Sequence, residues 1–230
     1  DLHEILFYIH QTVLHKWDKY DLRNRLKEGL YQKHGVAANN FLQTMPVNDA
    51  RKAVGMFKDE YLLDYINIEE MEVDKPEDID ERVIEKAIVR NIKNFIMTFG
   101  RDFAYIGNQY HLEIFGEELF PDLLFLNREL NCMVVVELKK GAFKPSYIGQ
   151  LQTYMKVLDD KVRKPHENPT IGILLCKSAN KAFVEYVIRD YNHPMGVATY
   201  KTAEDMSEEL RNALPDMDEM RKLLTDDSDV

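Results

Sequence analysis

Apolar residues recur at intervals of three and four along several stretches of the chain, which is the spacing of amphipathic helices. The longest such stripe runs through residues 79–99, ends at Gly100, and predicts a helix that packs one face on a sheet. Shorter stripes predict further helices at residues 2–33 (a pair joined by a turn), about 145–158 with Pro145 at its start, 181–189, and 206–224 with an interruption at Pro215.

Runs of apolar and β-branched residues predict strands between these helices. Three of them, at 104–115, 119–127 and 133–139, are separated by short polar turns, which predicts an antiparallel meander. Two more strands, at 171–176 and 197–200, alternate with predicted helices. This order predicts an α/β fold in which helices flank a central mixed sheet, preceded by a small helical segment.

The distribution of charge divides the chain near residue 75. The formal net charge is -10, but residues 69–81 and 204–230 each carry -7, which leaves +4 on the remainder. We therefore expect an acidic linker and acidic C-terminal helices beside a mildly basic body that can approach a polyanion. Because Pro76 breaks any continuing helix, we predict an N-terminal helical segment at 1–75 and a larger domain at 76–230.

The N-terminal helix pair permits two interpretations. Its second helix carries basic residues on polar positions, as a DNA-binding helix-turn-helix would, yet a small bundle with a solvated basic face fits equally well. The chain begins with Asp1 rather than an initiator Met, so we expect further sequence upstream. An apolar patch at 61–65 is a candidate dimer surface, and a homodimer is left open.

Composition and cysteine use point to a cytoplasmic protein. No apolar run approaches the roughly 18 residues of a membrane helix, so no membrane association is predicted. Cys132 and Cys176 each lie in a predicted strand and are expected to be reduced core thiols. A zinc site formed by His10, His15 and His34 is discounted, because these residues lack ligand spacing supported by cysteine.

The chemically informative residues are Asp122, Glu137 and Lys139. Alternation along a strand places Glu137 and Lys139 on one face, just beyond an apolar run where charges are costly unless they are paired or bind a ligand. Asp122 lies on the preceding strand, and antiparallel pairing can bring its carboxylate beside Glu137. Two such carboxylates suit a hard divalent cation such as Mg²⁺. The alternative is a solvated ion pair at a strand end with Asp122 in a turn, since this spacing alone is common.

Three polar residues on predicted helices extend this pattern. Gln150 and Tyr154 are four apart and share a helix face, either as a boundary pair or as support for the site. Glu85 lies on the polar side of its helix, where a surface carboxylate is the simpler interpretation and a contact with the metal site is the alternative.

Four motifs lie along the predicted larger domain: FGRDFA at 99–104, FPDLLF at 120–125, VVELK at 135–139 leading into FKP at 143–145, and GQL at 149–151 followed by Tyr154. In these motifs the sequence resembles the YhcG-like family of PD-(D/E)XK nucleases. The resemblance covers residues from about 80 to 200 and extends upstream into part of that family's N-terminal helical domain.

The resemblance implies a restriction-endonuclease-like core and a Mg²⁺- or Mn²⁺-dependent nuclease that acts on DNA. It implies that Asp122 and Glu137 ligate the metal, that Lys139 is catalytic, and that Glu85 occupies the acidic helical position of the superfamily. Gln150 and Tyr154 resemble its QxxxY element. The resemblance also implies that Lys140 and Lys144 lie near the DNA backbone. A DNA-binding or assembly module with a weakly active nuclease core remains the alternative function.

Overall fold

A computed structural model describes residues 8, 9, 11, 12, 16–27, 35–63, 81–100, 102–202 and 205. Its helices are α1 (Lys19–Lys27), α2 (Phe41–Thr44), α3 (Val47–Met56), α4 (Glu81–Arg90), α5 (Ile92–Phe99), α6 (Ser146–Lys161) and α7 (Lys181–Ile188). Its strands are β1 (Ala38–Asn39), β2 (Glu60–Leu63), β3 (Phe103–Asn108), β4 (Leu112–Ile114), β5 (Glu117–Leu119), β6 (Leu123–Asn127), β7 (Cys132–Ala142), β8 (Asn168–Ser178) and β9 (Met195–Thr202).

Within the described residues, one seven-stranded mixed sheet forms the centre of the fold. Its strand order is β1-β9-β8-β7-β6-β3, and β2 also pairs with β9. Strands β3, β6 and β7 are antiparallel, which confirms the predicted meander, whereas β7, β8 and β9 are parallel. The parallel pairs need crossover connections, which α6 and α7 supply.

Two hydrophobic cores cover the two faces of this sheet. Helices α4 and α5 pack on one face, over alternate β7 residues that include Val134, Val136 and Leu138. Helices α6 and α7 pack on the other face, where Met133 and Val135 lie. Because neighbouring strand residues point to opposite faces, the whole apolar run before Glu137 is buried, as its composition predicts.

The predicted extents of two strands and one helix are wrong. The segments predicted at 104–115 and 119–127 are each split, and their facing ends form a separate hairpin, β4–β5. The backbone of Gln109 adopts a left-handed φ of 44°, which ends β3 although the apolar alternation continues beyond it. The helix predicted at 79–99 is interrupted at Asn91 between α4 and α5.

Residues 37–63 contribute to the same core as the larger domain. Phe41 and Phe57 are buried against the α4–α5 side of the sheet, and β1 and β2 extend the sheet beyond β9. Tyr61 and Leu63 are buried, so these two residues of the candidate dimer patch at 61–65 are not exposed.

Other predictions concern segments of which the structure describes little or nothing. The boundary near residue 75, the acidic C-terminal helices at 206–224 and the residues His10, His15 and His34 lie outside the described residues. Of the predicted N-terminal helix pair, the described part includes α1. Cys132 and Cys176 are buried thiols, as predicted. No helix in the described part of the chain has the length and apolar character needed to cross a bilayer.

Candidate active site

The pairing of β6 with β7 brings Asp122 to the second half of β7. Leu123 pairs with Val136 in this antiparallel ladder, so the residue before Leu123 lies beside the one after Val136. The Asp122 carboxylate accepts a hydrogen bond from the backbone N–H of Leu138 at 2.8 Å. Asp122 therefore lies next to the strand segment that carries Glu137 and Lys139, as the sequence predicts.

Glu137 and Lys139 form a buried ion pair on the α6 side of the sheet. Their side chains point away from the face on which Val136 and Leu138 pack. Glu137 is 2% exposed and Lys139 is 6% exposed, and the Lys139 Nζ donates to Glu137 Oε1 at 2.8 Å. Desolvating two charges is costly, and their pairing offsets only part of that cost. A pair retained at this depth is a functional-site candidate.

Asp122 is held in an environment that disfavours its negative charge. Burial is the largest cause and raises the pKa of its carboxyl group from 3.8 to about 6, and the neighbouring Glu85 adds to this effect. The Leu138 N–H, the Lys139 ammonium and the Gln109 amide oppose the rise without cancelling it. A second positive charge beside this carboxylate would stabilise its ionised form.

Glu85 reaches the same end of the sheet from α4, on the opposite face. Glu85 is only 4% exposed, so the simpler interpretation of a helix-surface carboxylate is wrong. Asn108 Nδ2 donates to its Oε1 at 2.8 Å, and Gln109 Nε2 donates to its Oε2 at 2.8 Å. Gln109 Nε2 also donates to Asp122 Oδ1 at 3.0 Å, which links Glu85 to the site.

The sequence pattern did not reveal Asn108 and Gln109. Both lie at the end of β3, where polar residues usually face solvent, and they are 13 or more positions from Asp122. A signal appears only in the folded chain. The register between β3 and β6 shifts after Tyr105, and irregularities of this kind often redirect side chains near functional sites.

Helix α6 contributes the polar pair that its spacing predicts. Gln150 Nε2 donates to the hydroxyl of Tyr154 at 2.7 Å, and Tyr154 is 6% exposed. Burial raises the pKa of Tyr154, and the negative charges of Glu137 and Asp122 act in the same direction. Both carboxylates are thus electrostatic neighbours of this tyrosine, which places the pair beside the site.

Lysine residues surround the first turn of α6. The Lys139 ammonium lies 5.4 Å from the ring centroid of Tyr147, and the Lys144 ammonium lies 6.0 Å from it. Ammonium groups at such distances are attracted to the ring face. Lys140 and Lys144 are exposed, so their side chains can meet a ligand that approaches the end of β7.

The donor set suits a cation that keeps part of its water shell. Within the described residues, no group of three or more His, Cys, Asp or Glu side chains is placed to hold a metal ion. Mg²⁺ is usually held by one or two carboxylates together with waters and substrate phosphate oxygens. Two carboxylates are available here, from the half-buried Asp122 and the buried Glu137, whereas structural zinc sites use nitrogen and sulfur ligands.

The chain is similar in sequence to proteins of a known family. A family model described as "YhcG PDDEXK nuclease domain" matches residues 54–215. The chain belongs to the YhcG PDDEXK nuclease family. It is also 26% identical over 175 residues to a protein of Escherichia coli (strain K12) named "Putative nuclease YhcG". That match covers 76% of this chain and 42% of the relative, so the chain spans less than half of the relative's length.

Two solved structures are partly similar to this chain. One is described as a repair endonuclease from Pyrococcus abyssi, with 16% identity, a TM-score of 0.35, and coverage of 54% of this chain and 47% of that one. The other is EndoMS in its apo form, with 17% identity, a TM-score of 0.36, and coverage of 56% and 48%. Overlaps this loose add nothing to the family assignment. The family and the mixed sheet flanked by helices together establish the predicted restriction-endonuclease-like core.

Proposed function

We propose that this chain carries a Mg²⁺- or Mn²⁺-dependent nuclease site that hydrolyses phosphodiester bonds in DNA. The observation that carries the proposal is the convergence of Asp122 with the buried Glu137–Lys139 pair, where the start of β6 lies beside the second half of β7. Family membership supports the reaction class. The carboxylates of Asp122 and Glu137, with the Lys139 ammonium beside them, support a site in which a hard cation binds a phosphate oxygen of the substrate.

Asp122 and Glu137 are the proposed metal ligands, and Glu85 faces them from the other side of the sheet. A bound cation would supply charge neutralisation at the scissile phosphate and a lowered pKa for a coordinated water. The two ligands have complementary support: Asp122 is fixed by the Leu138 N–H, and Glu137 by the Lys139 ammonium. Both carboxylates therefore start in defined orientations, which reduces the reorganisation needed on binding.

Lys139 is the proposed catalytic lysine. Its ammonium is held between the Glu137 carboxylate and the Tyr147 ring, within reach of a group bound at Glu137. There it can orient the attacking water or neutralise charge that develops on the phosphate oxygens.

Gln150 and Tyr154 are proposed to fix the α6 side of the site, and Lys140 and Lys144 to contact the DNA backbone. The buried thiols of Cys132 and Cys176 support the proposed cytoplasmic location.

The test is metal-dependent cleavage of plasmid, single-stranded, branched and nicked DNA by the purified chain. Lys139→Ala and Asp122→Asn should each reduce the rate by about 100-fold or more, because they remove a transition-state charge and a metal ligand. Lys156→Ala is the matched control, since its exposed ammonium pairs with Asp160 on the outer surface of α6. This control should cleave at the wild-type rate.

The alternative of a binding or assembly module predicts a different set of results. Wild type, Lys139→Ala and Asp122→Asn would then be equally inert on every substrate while binding DNA alike. Because binding to the DNA backbone falls with salt concentration, the comparison should be made at a fixed ionic strength. Equal inactivity under those conditions would reject the proposed nuclease activity.

A further inference from the structure

The carboxylate of Glu85 is oriented by two carboxamide side chains. Each of its oxygens receives one hydrogen bond of 2.8 Å, from Asn108 to Oε1 and from Gln109 to Oε2. Tyr105 in turn donates its hydroxyl to Asn108 Oδ1 at 2.9 Å. A buried carboxylate with both oxygens occupied by donors has little rotational freedom. The direction in which Glu85 points is therefore set by its partners at the end of β3.

Gln109 joins groups that approach from the two faces of the sheet. Helix α4, which carries Glu85, packs on the face opposite to the Glu137 and Lys139 side chains. The Gln109 amide nitrogen donates one hydrogen to Glu85 Oε2 and the other to Asp122 Oδ1. An uncharged NH₂ group thus lies between two carboxylates, at a point where their mutual repulsion favours a positive group.

The backbone at Gln109 is shaped to hold the side chain in this position. Its φ of 44° lies in the left-handed region, which residues other than Gly, Asn and Asp rarely adopt. Its N–H donates to the backbone carbonyl of Asp122 at 3.0 Å, so the residue remains attached to the β6 ladder. Strained conformations of this type concentrate where a side chain must be aimed.

We propose that Gln109, assisted by Asn108, is a positioning residue that holds Glu85 against the cation site of Asp122 and Glu137. This inference rests on the proposed function, because it needs the cation that Asp122 and Glu137 are proposed to bind. In the metal-free protein the carboxamide hydrogens offset the two neighbouring negative charges. With a cation bound at Asp122 and Glu137, the two amides would hold the Glu85 carboxylate in this same orientation.

The direct test is Mn²⁺ binding to the metal-free protein, measured by isothermal titration calorimetry. Gln109→Gly removes the carboxamide and leaves a residue that adopts the left-handed backbone without strain. We expect the Kd for Mn²⁺ to rise about 10-fold, the usual effect of removing a side chain that orients a metal ligand. Asn108→Ala, which removes the donor to the other Glu85 oxygen, should weaken binding in the same direction.

Asn131→Gly provides a matched control. Asn131, in the turn that precedes β7, is also an exposed carboxamide residue and has a left-handed φ of 46°. Its amide donates to the backbone carbonyl of His166. The same chemical change there should leave the Kd for Mn²⁺ unaltered. An equal loss of affinity in Asn131→Gly would assign the effect to a general loosening of the fold and overturn the proposal.

A double-mutant cycle with Glu85→Gln shows whether Gln109 acts through Glu85. If it does, Gln109→Gly changes the Kd in the wild-type background and has no further effect in the Glu85→Gln background. Additive effects would overturn the positioning role. Wild type that neither binds Mn²⁺ nor cleaves DNA would instead overturn the proposed function. Wild type that does both, together with unaltered binding by Gln109→Gly, would overturn this inference alone.

Discussion

Replacing Asp122 by Asn should make the metal-free protein more stable at alkaline pH. The environment of Asp122 raises the pKa of its carboxyl group from 3.8 to about 6, chiefly through burial. When the pKa of a carboxyl group is raised on folding, the ionised group lowers the free energy of unfolding. This electrostatic loss of stability is largest above the folded pKa and becomes smaller as the pH falls. Asn keeps an oxygen that can accept from the Leu138 N–H but carries no charge.

The expected gain follows from the size of the pKa change. The pKa of Asp122 changes from 3.8 to about 6, and each pKa unit corresponds to about 1.4 kcal/mol. The electrostatic loss of stability is therefore about 3 kcal/mol at pH 8. It falls to about half that value at pH 5, where the folded group is mostly protonated. Loss of the hydrogen bond from Gln109 subtracts about 1 kcal/mol. The net gain in the free energy of unfolding is therefore about 2 kcal/mol at pH 8 and under about 1 kcal/mol at pH 5.

Thermal unfolding followed by circular dichroism in the presence of EDTA measures this gain. For a domain of this size, about 2 kcal/mol corresponds to an increase in Tm of roughly 4–8 °C at pH 8. Mn²⁺ should raise the Tm of wild type and have little effect on Asp122→Asn, because a ligand stabilises only the folded state that binds it. Asp160→Asn, at an exposed position of α6, should change stability by less than about 0.5 kcal/mol.

Two results would refute this reasoning. The first is an Asp122→Asn protein that is no more stable than wild type at pH 8 in EDTA. The second is a gain in stability that stays the same from pH 8 to pH 5, since an effect of charge must follow the titration of the group.

Two other substitutions test parts of the fold that position the site. Gly172→Ala should lower the free energy of unfolding by about 1–3 kcal/mol in urea titrations, because a Cβ on β8 would overlap Met155 Sδ and lie 2.9 Å from Leu151 Cγ on α6; unchanged stability would contradict this packing. Phe115→Asn should raise stability by up to about 1 kcal/mol, because Phe115 is 98% exposed with a left-handed φ of 53° at the tip of the β4–β5 hairpin, where Asn is favoured. A destabilised Phe115→Asn protein would show that the aromatic ring has a packing role.

The sequence was sufficient to predict the centre of the candidate site. Alternation along β7 placed Glu137 and Lys139 on one face, and the short turn after β6 fixed the register that brings Asp122 beside them. Periodicity of four placed Gln150 and Tyr154 within hydrogen-bonding distance. These relations depend on local geometry, which a regular strand or helix repeats without reference to the rest of the fold.

Features that depend on irregular backbone were not predictable in the same way. The left-handed turn at Gln109 splits a predicted strand into β3 and β4, yet Gln is not a residue that signals such a turn. Burial of Glu85 depends on hydrogen bonds from residues more than 20 positions away. Strands β1 and β2 are two and four residues long, too short to give a periodic signal, and β9 determines where they lie.

The most direct test of the central claim is anomalous diffraction from crystals of the wild-type chain soaked in Mn²⁺. We predict one strong anomalous peak within coordination distance of carboxylate oxygens from both Asp122 and Glu137. We also predict that Asp122→Asn crystals soaked in the same way lack this peak. A peak bound elsewhere, or none at these two residues at a Mn²⁺ concentration that supports DNA cleavage, would contradict it.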